Sequence, residues 1–154
     1  MKTAYILVGV PGSGKSTWVR NQDWSHKCSY ICTDKYVEAY ARSVNKSYSE
    51  VFDEFMPKAV DFMIEEFLES RDAEKDIIWD QTSTTIKSRK KKLDMLSGYH
   101  TIAVIFKTPD PLELVIRLKN RPGKDIPQNV INDMINGWEE PTLEEGFNEI
   151  WMAQ

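Results

Sequence analysis

Short apolar runs alternate along this chain with longer stretches of helical spacing, and polar or glycine-bearing turns separate them. Thr3-Ala4-Tyr5-Ile6-Leu7-Val8 is the first run, and it reads as a buried strand. Ser29-Tyr30-Ile31-Cys32-Thr33, Asp76-Ile77-Ile78-Trp79-Asp80 and Thr101-Ile102-Ala103-Val104-Ile105-Phe106 follow as the second, third and fourth strands. Helical patterns fill the intervals. Ser16-Thr17-Trp18-Val19-Arg20 can open one helix, and Asp34 opens another through Tyr36, Val37, Ala39 and Tyr40. After a turn at Asn45-Lys46-Ser47, Tyr48 to Ser70 is helical in pattern. Val51, Phe52 and Phe55 form one stripe there, and Val60, Met63, Ile64, Phe67 and Leu68 a second. Pro57 is expected to divide this stretch into two helices, because an interior proline removes a hydrogen bond and crowds the preceding turn. A helix from about Ile86 to Leu96 stops at Gly98. Pro111 starts the next, Leu112 to Asn120, and Gln128 to Trp138 is the last; the end of the chain is less regular. Strands separated by helices require parallel crossovers. The expected fold is therefore α/β, a three-layer sandwich whose parallel sheet of about four strands carries helices on both faces.

The length of 154 residues allows one domain, 1–154, with a real core. A hydrophobic fraction of 41% and a charged fraction of 29% are those of a soluble globular protein. With a net charge of −4 the molecule as a whole is not built to wrap nucleic acid, so any such contact must be local. No apolar run is long enough to span a bilayer, and no secretory leader opens the chain, which suggests a cytoplasmic protein. Cys28 and Cys32 read as reduced thiols. Zinc is disfavoured, because His26, Cys28 and Cys32 lack an evident fourth ligand and paired C-x-x-C spacing.

Chemistry enters with Gly9-Val10-Pro11-Gly12-Ser13-Gly14-Lys15-Ser16, which satisfies G-x-x-x-x-G-K-[ST] at every specified position. It lies between a strand and a helix start, where a phosphate-binding loop must lie, and this makes the fold a P-loop NTPase sandwich. The glycines let the backbone turn and aim N–H groups at phosphate oxygens. Gly12, Ser13, Gly14, Lys15, Ser16 and Thr17 are thus the nucleotide-binding candidates, with Lys15 on the terminal phosphates and Ser16 on Mg2+. ATP and Mg2+ are the expected cofactors.

The rest of the chain selects among triphosphate enzymes. It has no N-K-x-D guanine motif, and Asp80 is followed by Gln81-Thr82-Ser83 rather than by a second carboxylate. A phosphotransferase needs a base for the acceptor hydroxyl and arginines that meet developing charge. Asp34, at the end of the second strand, falls at the carboxyl edge where ligands collect; its alternative role is a helix N-cap. Asp80, at the end of the third strand, is a candidate magnesium partner. Arg117 and Arg121 are four apart and share a helix face if the helix reaches that far. Pro122-Gly123 then opens a lid-like loop up to Pro127. The basic run Lys87-Ser88-Arg89-Lys90-Lys91-Lys92 reads as the wet face of a helix with Ile86, Leu93 and Leu96 inward; contact with a nucleic-acid backbone is the alternative. Tyr36 and Tyr40 read as core; stacking on a base is the alternative.

These motifs together resemble the kinase domain of polynucleotide 5′-hydroxyl kinases, within the small P-loop kinases that include zeta-type toxins. The phosphate loop with its proline and trailing Thr17-Trp18 is similar to the phage type, and Asp80-Gln81-Thr82-Ser83 resembles the D-x-T-N segment. Glu140-Pro141-Thr142-Leu143-Glu144-Glu145-Gly146-Phe147 looks like the closing segment of the animal enzymes. The resemblance implies transfer of the ATP γ-phosphate to the 5′-hydroxyl of DNA or RNA. It implies Asp34 as general base and Arg121, with Arg117, in an arginine-bearing lid. Two positions depart from the pattern: no arginine follows Asp34 before Arg42, and Ser83 replaces the Asn. Lys35, Arg42 and Thr82 are then the candidates for holding the acceptor. Hydroxymethylated bases in DNA and small metabolites are the alternative acceptors.

Overall fold

The computed structural model describes residues 2–153. Five strands form one parallel sheet: β1 (Thr3–Val8), β2 (Ser29–Ile31), β3 (Ile77–Asp80), β4 (His100–Ile105) and β5 (Glu149–Met152), in the order β2-β3-β1-β4-β5. The first four are the strands expected from the apolar runs. β5 is a correction to the expected four. Only two of its residues are half-buried, because it lies at the sheet edge, and its pattern is too weak to read as a strand. Pairing with β4 across Ile102↔Glu149 to Ile105↔Met152 decides it.

The central strands show why parallel strands read as continuous apolar runs: each is covered on both faces. Ala4, Ile6 and Val8 of β1 point into one core with Trp79, Phe67 and Leu96. Tyr5 and Leu7 point into the other with Ile102, Val104, Trp18 and Trp24. The connections are α1 (Lys15–Arg20), α2 (Asp34–Ser43), α3 (Tyr48–Asp72), α4 (Ile86–Met95), α5 (Pro111–Lys119) and α6 (Gln128–Asn136).

Pro57 does not divide α3, which runs unbroken for 25 residues. A capping box fixes its start: the Glu50 N–H donates to Ser47 Oγ, and the Ser47 N–H donates back to Glu50 Oε1. Val51 precedes the proline, Ala59, Met63 and Phe67 follow it, and all four are buried. Pro57 and Asp53, whose carbonyl loses its usual partner, both lie on the exposed side. Water can satisfy that carbonyl, and burial on either side holds the helix together. The buried stripe also differs from the expected one, since Val60 and Leu68 are exposed.

The basic run of α4 is likewise corrected. Arg89 is 0% exposed, while Ile86, expected inward, is exposed. Arg89 pairs with Glu145 through two bonds of 2.8 and 3.1 Å and donates to the Ser83 and Glu139 carbonyls. It fastens the C-terminal segment to the loop that follows β3. Lys92 is buried too, its ammonium 5.8 Å from the Trp79 ring centre.

Candidate active site

The chain leaves β1 at Val8 and turns sharply before α1. Gly12 and Gly14 take φ values of 83° and 99°, which side chains disfavour. A Cβ on Gly9 would stand 2.5 Å from Ser13 Oγ and 2.8 Å from Phe106 Cβ, so close packing also requires glycine there. Lys15 is tucked beneath the loop, donating to the Gly9 and Val10 carbonyls at 3.0 and 3.1 Å. Arg117 approaches from α5, donating to the Gly12 carbonyl at 3.1 Å while it pairs with Glu113.

Two side chains offer donor atoms for magnesium. The Tyr30 hydroxyl on β2 donates to Asp80. Ser16 and Asp80 line the same cleft and offer it hard oxygen atoms. Magnesium is commonly held by one or two protein oxygens plus substrate phosphates, and this pair fits. Ser13 Oγ, buried in the same loop, has no hydrogen-bond partner and suits a phosphate oxygen. Burial raises the Asp80 carboxyl and lowers the Lys15 ammonium; their mutual attraction opposes both shifts without cancelling them. An anionic ligand at the loop would oppose the lowering of the lysine.

A second wall faces this one. Asp34 begins α2, and its Oδ1 accepts a hydrogen bond from the Tyr48 hydroxyl at 2.6 Å. Burial, and then the bond to Asp34, push the Tyr48 hydroxyl well above its ordinary range, so it remains a donor. Lys124, only 15% exposed, pairs with Glu38, stands 3.8 Å from Asp34 Oδ2 and lies 4.6 Å from the Tyr48 ring centre. Its loop is docked on the start of α3. The Ser49 N–H donates to the Gly123 carbonyl at 3.0 Å, and the Asp125 N–H donates to Ser49 Oγ at 2.7 Å. The two walls enclose a cleft of about 1730 Å³. One small ligand usually fills roughly 300–1,000 Å³, and this open cleft is larger.

With that geometry in place, the AAA_33 family model, described as an AAA domain, matches residues 5–141. The chain belongs to this family of P-loop kinase domains. The bifunctional polynucleotide phosphatase/kinase of Schizosaccharomyces pombe is 27% identical over 150 residues, which is 94% of this chain but 32% of that protein. The chain thus spans about a third of that relative's length. Three solved structures share the fold. A protein from Chloroflexus aurantiacus carrying a provisional kinase assignment has a TM-score of 0.73 at 13% identity, over 99% of this chain and 87% of its own. The PezAT toxin-antitoxin structure of Streptococcus pneumoniae has 0.63 at 20% identity, over 99% and 68%. A gluconokinase of Sinorhizobium meliloti has 0.59 at 16% identity, over 97% and 81%.

In this AAA_33 domain, Gly12 to Thr17, Asp34, Lys35, Asp80, Thr82, Arg117 and Arg121 all line the one cleft. Arg42 does not; it is exposed in the last turn of α2. Lys35 lines the cleft, but its ammonium is bound to Glu66 at 2.7 Å and to the Tyr30 carbonyl. Asp34 is not the N-cap of α2, a position held by Thr33. Arg121 lies past the end of α5, so it and Arg117 do not share a helix. Sequence reasoning missed Tyr30, Tyr48, Glu38 and Lys124. The Ser47-x-x-Glu50 capping box was a readable sign that Tyr48 begins a helix, but nothing local aims it at Asp34. Burial, as the leading cause, pushes both cysteine thiols up to about 11, so neither is a ready nucleophile. Among the described residues no helix is long and apolar enough to cross a membrane.

Proposed function

We propose that this P-loop kinase moves the γ-phosphate of ATP, with magnesium, to a hydroxyl, and that the acceptor is the 5′-hydroxyl end of DNA or RNA. One observation carries the reading: a carboxylate, Asp34, faces the phosphate loop across an open cleft. The acceptor is supported by the polynucleotide phosphatase/kinase relative, which matches nearly all of this chain.

Asp34, held by Tyr48, takes the proton of the acceptor hydroxyl. The hydroxyl oxygen forms a bond to the γ-phosphorus as the bond from that phosphorus to the β–γ bridging oxygen breaks, and ADP leaves. Lys15, Arg121 and Arg117 meet the charge on the phosphate oxygens. Ser16 and Asp80 would hold magnesium, which would supply positive charge to neutralise the phosphates.

A second acceptor class, a small-molecule hydroxyl such as a nucleoside, nucleotide or sugar, is favoured by the placement of Arg42 outside the cleft and the pairing of Lys35 with Glu66. Transfer of labelled γ-phosphate decides between them. The panel is a 5′-hydroxyl oligonucleotide, hydroxymethyl-base DNA and free nucleosides, with Lys15→Ala as the blank. Labelling of the plain oligonucleotide is expected. Labelling of nucleosides alone would keep the chemistry and replace the acceptor.

A further inference from the structure

The second wall of the cleft has an aromatic stripe that the reaction does not account for. Tyr48, Phe52 and Met56 are spaced four apart on α3, so they lie along one helix face, and all three line the cleft. The core stripe of α3 is a different one, built on Val51, Ala59, Met63 and Phe67. Tyr48 and Met56 pack partly into the cluster between α2 and α3, whereas Phe52 does not join it. Phe52 is 37% exposed and leans on the Tyr48 ring, 5.5 Å between centres. The Tyr48 hydroxyl in turn touches Asp34. The stripe therefore starts at the carboxylate placed on the reacting hydroxyl and runs outward from it.

The charges on this wall exclude one way of gripping an acceptor. Asp34, Glu38 and Asp53 line it, Lys124 is already shared between Glu38 and Asp34, and Arg121, whose charge reaches Tyr48, is placed on the transferred phosphate. A phosphate placed here would meet carboxylates. An uncharged flat ring would meet aromatic faces, and stacking on such faces tolerates any base.

We infer that Phe52, flanked by Tyr48 and Met56, is the acceptor subsite, and that it takes the uncharged base of the nucleoside bearing the reacting hydroxyl, not its phosphate. The inference rests on the proposed kinase reading. Phe52 sets acceptor affinity and leaves the transfer step alone.

The test compares two 5′-hydroxyl dinucleotides, one with a 5′ adenine and one with an abasic 5′ residue, on wild type, Phe52→Ala and Phe52→Trp. Wild type is expected to show a KM roughly 5- to 150-fold lower for the base-bearing acceptor, the range of one base stack on an aromatic side chain. Phe52→Ala should raise that KM to the abasic value, leave the abasic KM unmoved and leave kcat within about twofold. Phe52→Trp should retain the preference. Phe52 sits on an exposed helix face, so the thermal midpoint of Phe52→Ala should stay near wild type. Equal KM values for both acceptors in wild type, or an equal rise for both in Phe52→Ala, would overturn the subsite. If wild type labels free nucleosides but neither dinucleotide, the polynucleotide reading falls by itself, and adenosine against ribose then reads the same subsite. Absence of labelling with any acceptor removes both.

Discussion

The two walls of the cleft are built in opposite ways. The nucleotide wall comes from consecutive residues, Gly9 to Thr17, whose glycine conformations and lysine contacts are local. The wall proposed to hold the acceptor comes from Asp34 and Glu38 on α2, Tyr48 and Phe52 on α3, and Lys124 in the loop after α5. Tyr48 and Asp34 are 14 positions apart, and Lys124 is far from both in sequence. The first wall can therefore keep its geometry as long as one strand, turn and helix persist. The second exists only when three separate segments dock.

Four experiments bear on this contrast. The largest effect is expected on the phosphates: Arg121→Ala should lower kcat by about a thousandfold or more for every acceptor tried, read by single-turnover transfer. An acceptor-dependent loss would move Arg121 to the other wall. Next is the fastening of the C-terminal segment to the loop after β3. Arg89→Met leaves Glu145 buried without its partner, and breaking such a pair costs about 3–5 kcal/mol. Denaturant unfolding should show that loss, and Arg89→Met with Glu145→Leu should recover most of it. A double variant as unstable as the single would assign the cost to the Ser83 and Glu139 carbonyls instead.

Lys92 gives a smaller effect of opposite sign. Burial first, then the charges of Arg89 and Lys91, lower its ammonium from 10.5 to about 8. The unfolded chain therefore holds more protons than the folded one between those values, so stability rises as pH climbs from about 8 to 10.5. Lys92→Met should be more stable than wild type at pH 7, by about 1–3 kcal/mol, with the gap narrowing across that window. A gap that does not vary with pH would show that packing, not charge, sets it. The smallest effect belongs to the acceptor wall: Tyr48→Phe should lower kcat about tenfold with ATP affinity unchanged, the worth of one hydrogen bond to a charged group. Unchanged turnover would leave Tyr48 as packing only.

Elements whose signal is local were legible. Four strands, the phosphate loop and the helices between them could be placed from runs, glycines and spacing. The misreadings share a cause. Pro57 argues for a break, but burial of Val51, Ala59, Met63 and Phe67 carries the helix through it. Arg89 has the character of a solvated charge, but Glu145 and two carbonyls from other segments complete it inside the protein. Arg42 has the right charge near Asp34 and lies at the wrong end of α2 to use it.

The residues alone determined that this protein binds phosphate and on what scaffold, because a glycine loop between strand and helix contains its own geometry. They also supplied Asp34 and Arg121 as candidates. Only the tertiary structure decided which side chains surround Asp34, that Lys124 and Tyr48 reach it, and that the stripe of Tyr48, Phe52 and Met56 lines the same cleft. Those contacts join segments whose meeting depends on how α2, α3 and the loop after α5 pack, and no short stretch of chain encodes that packing.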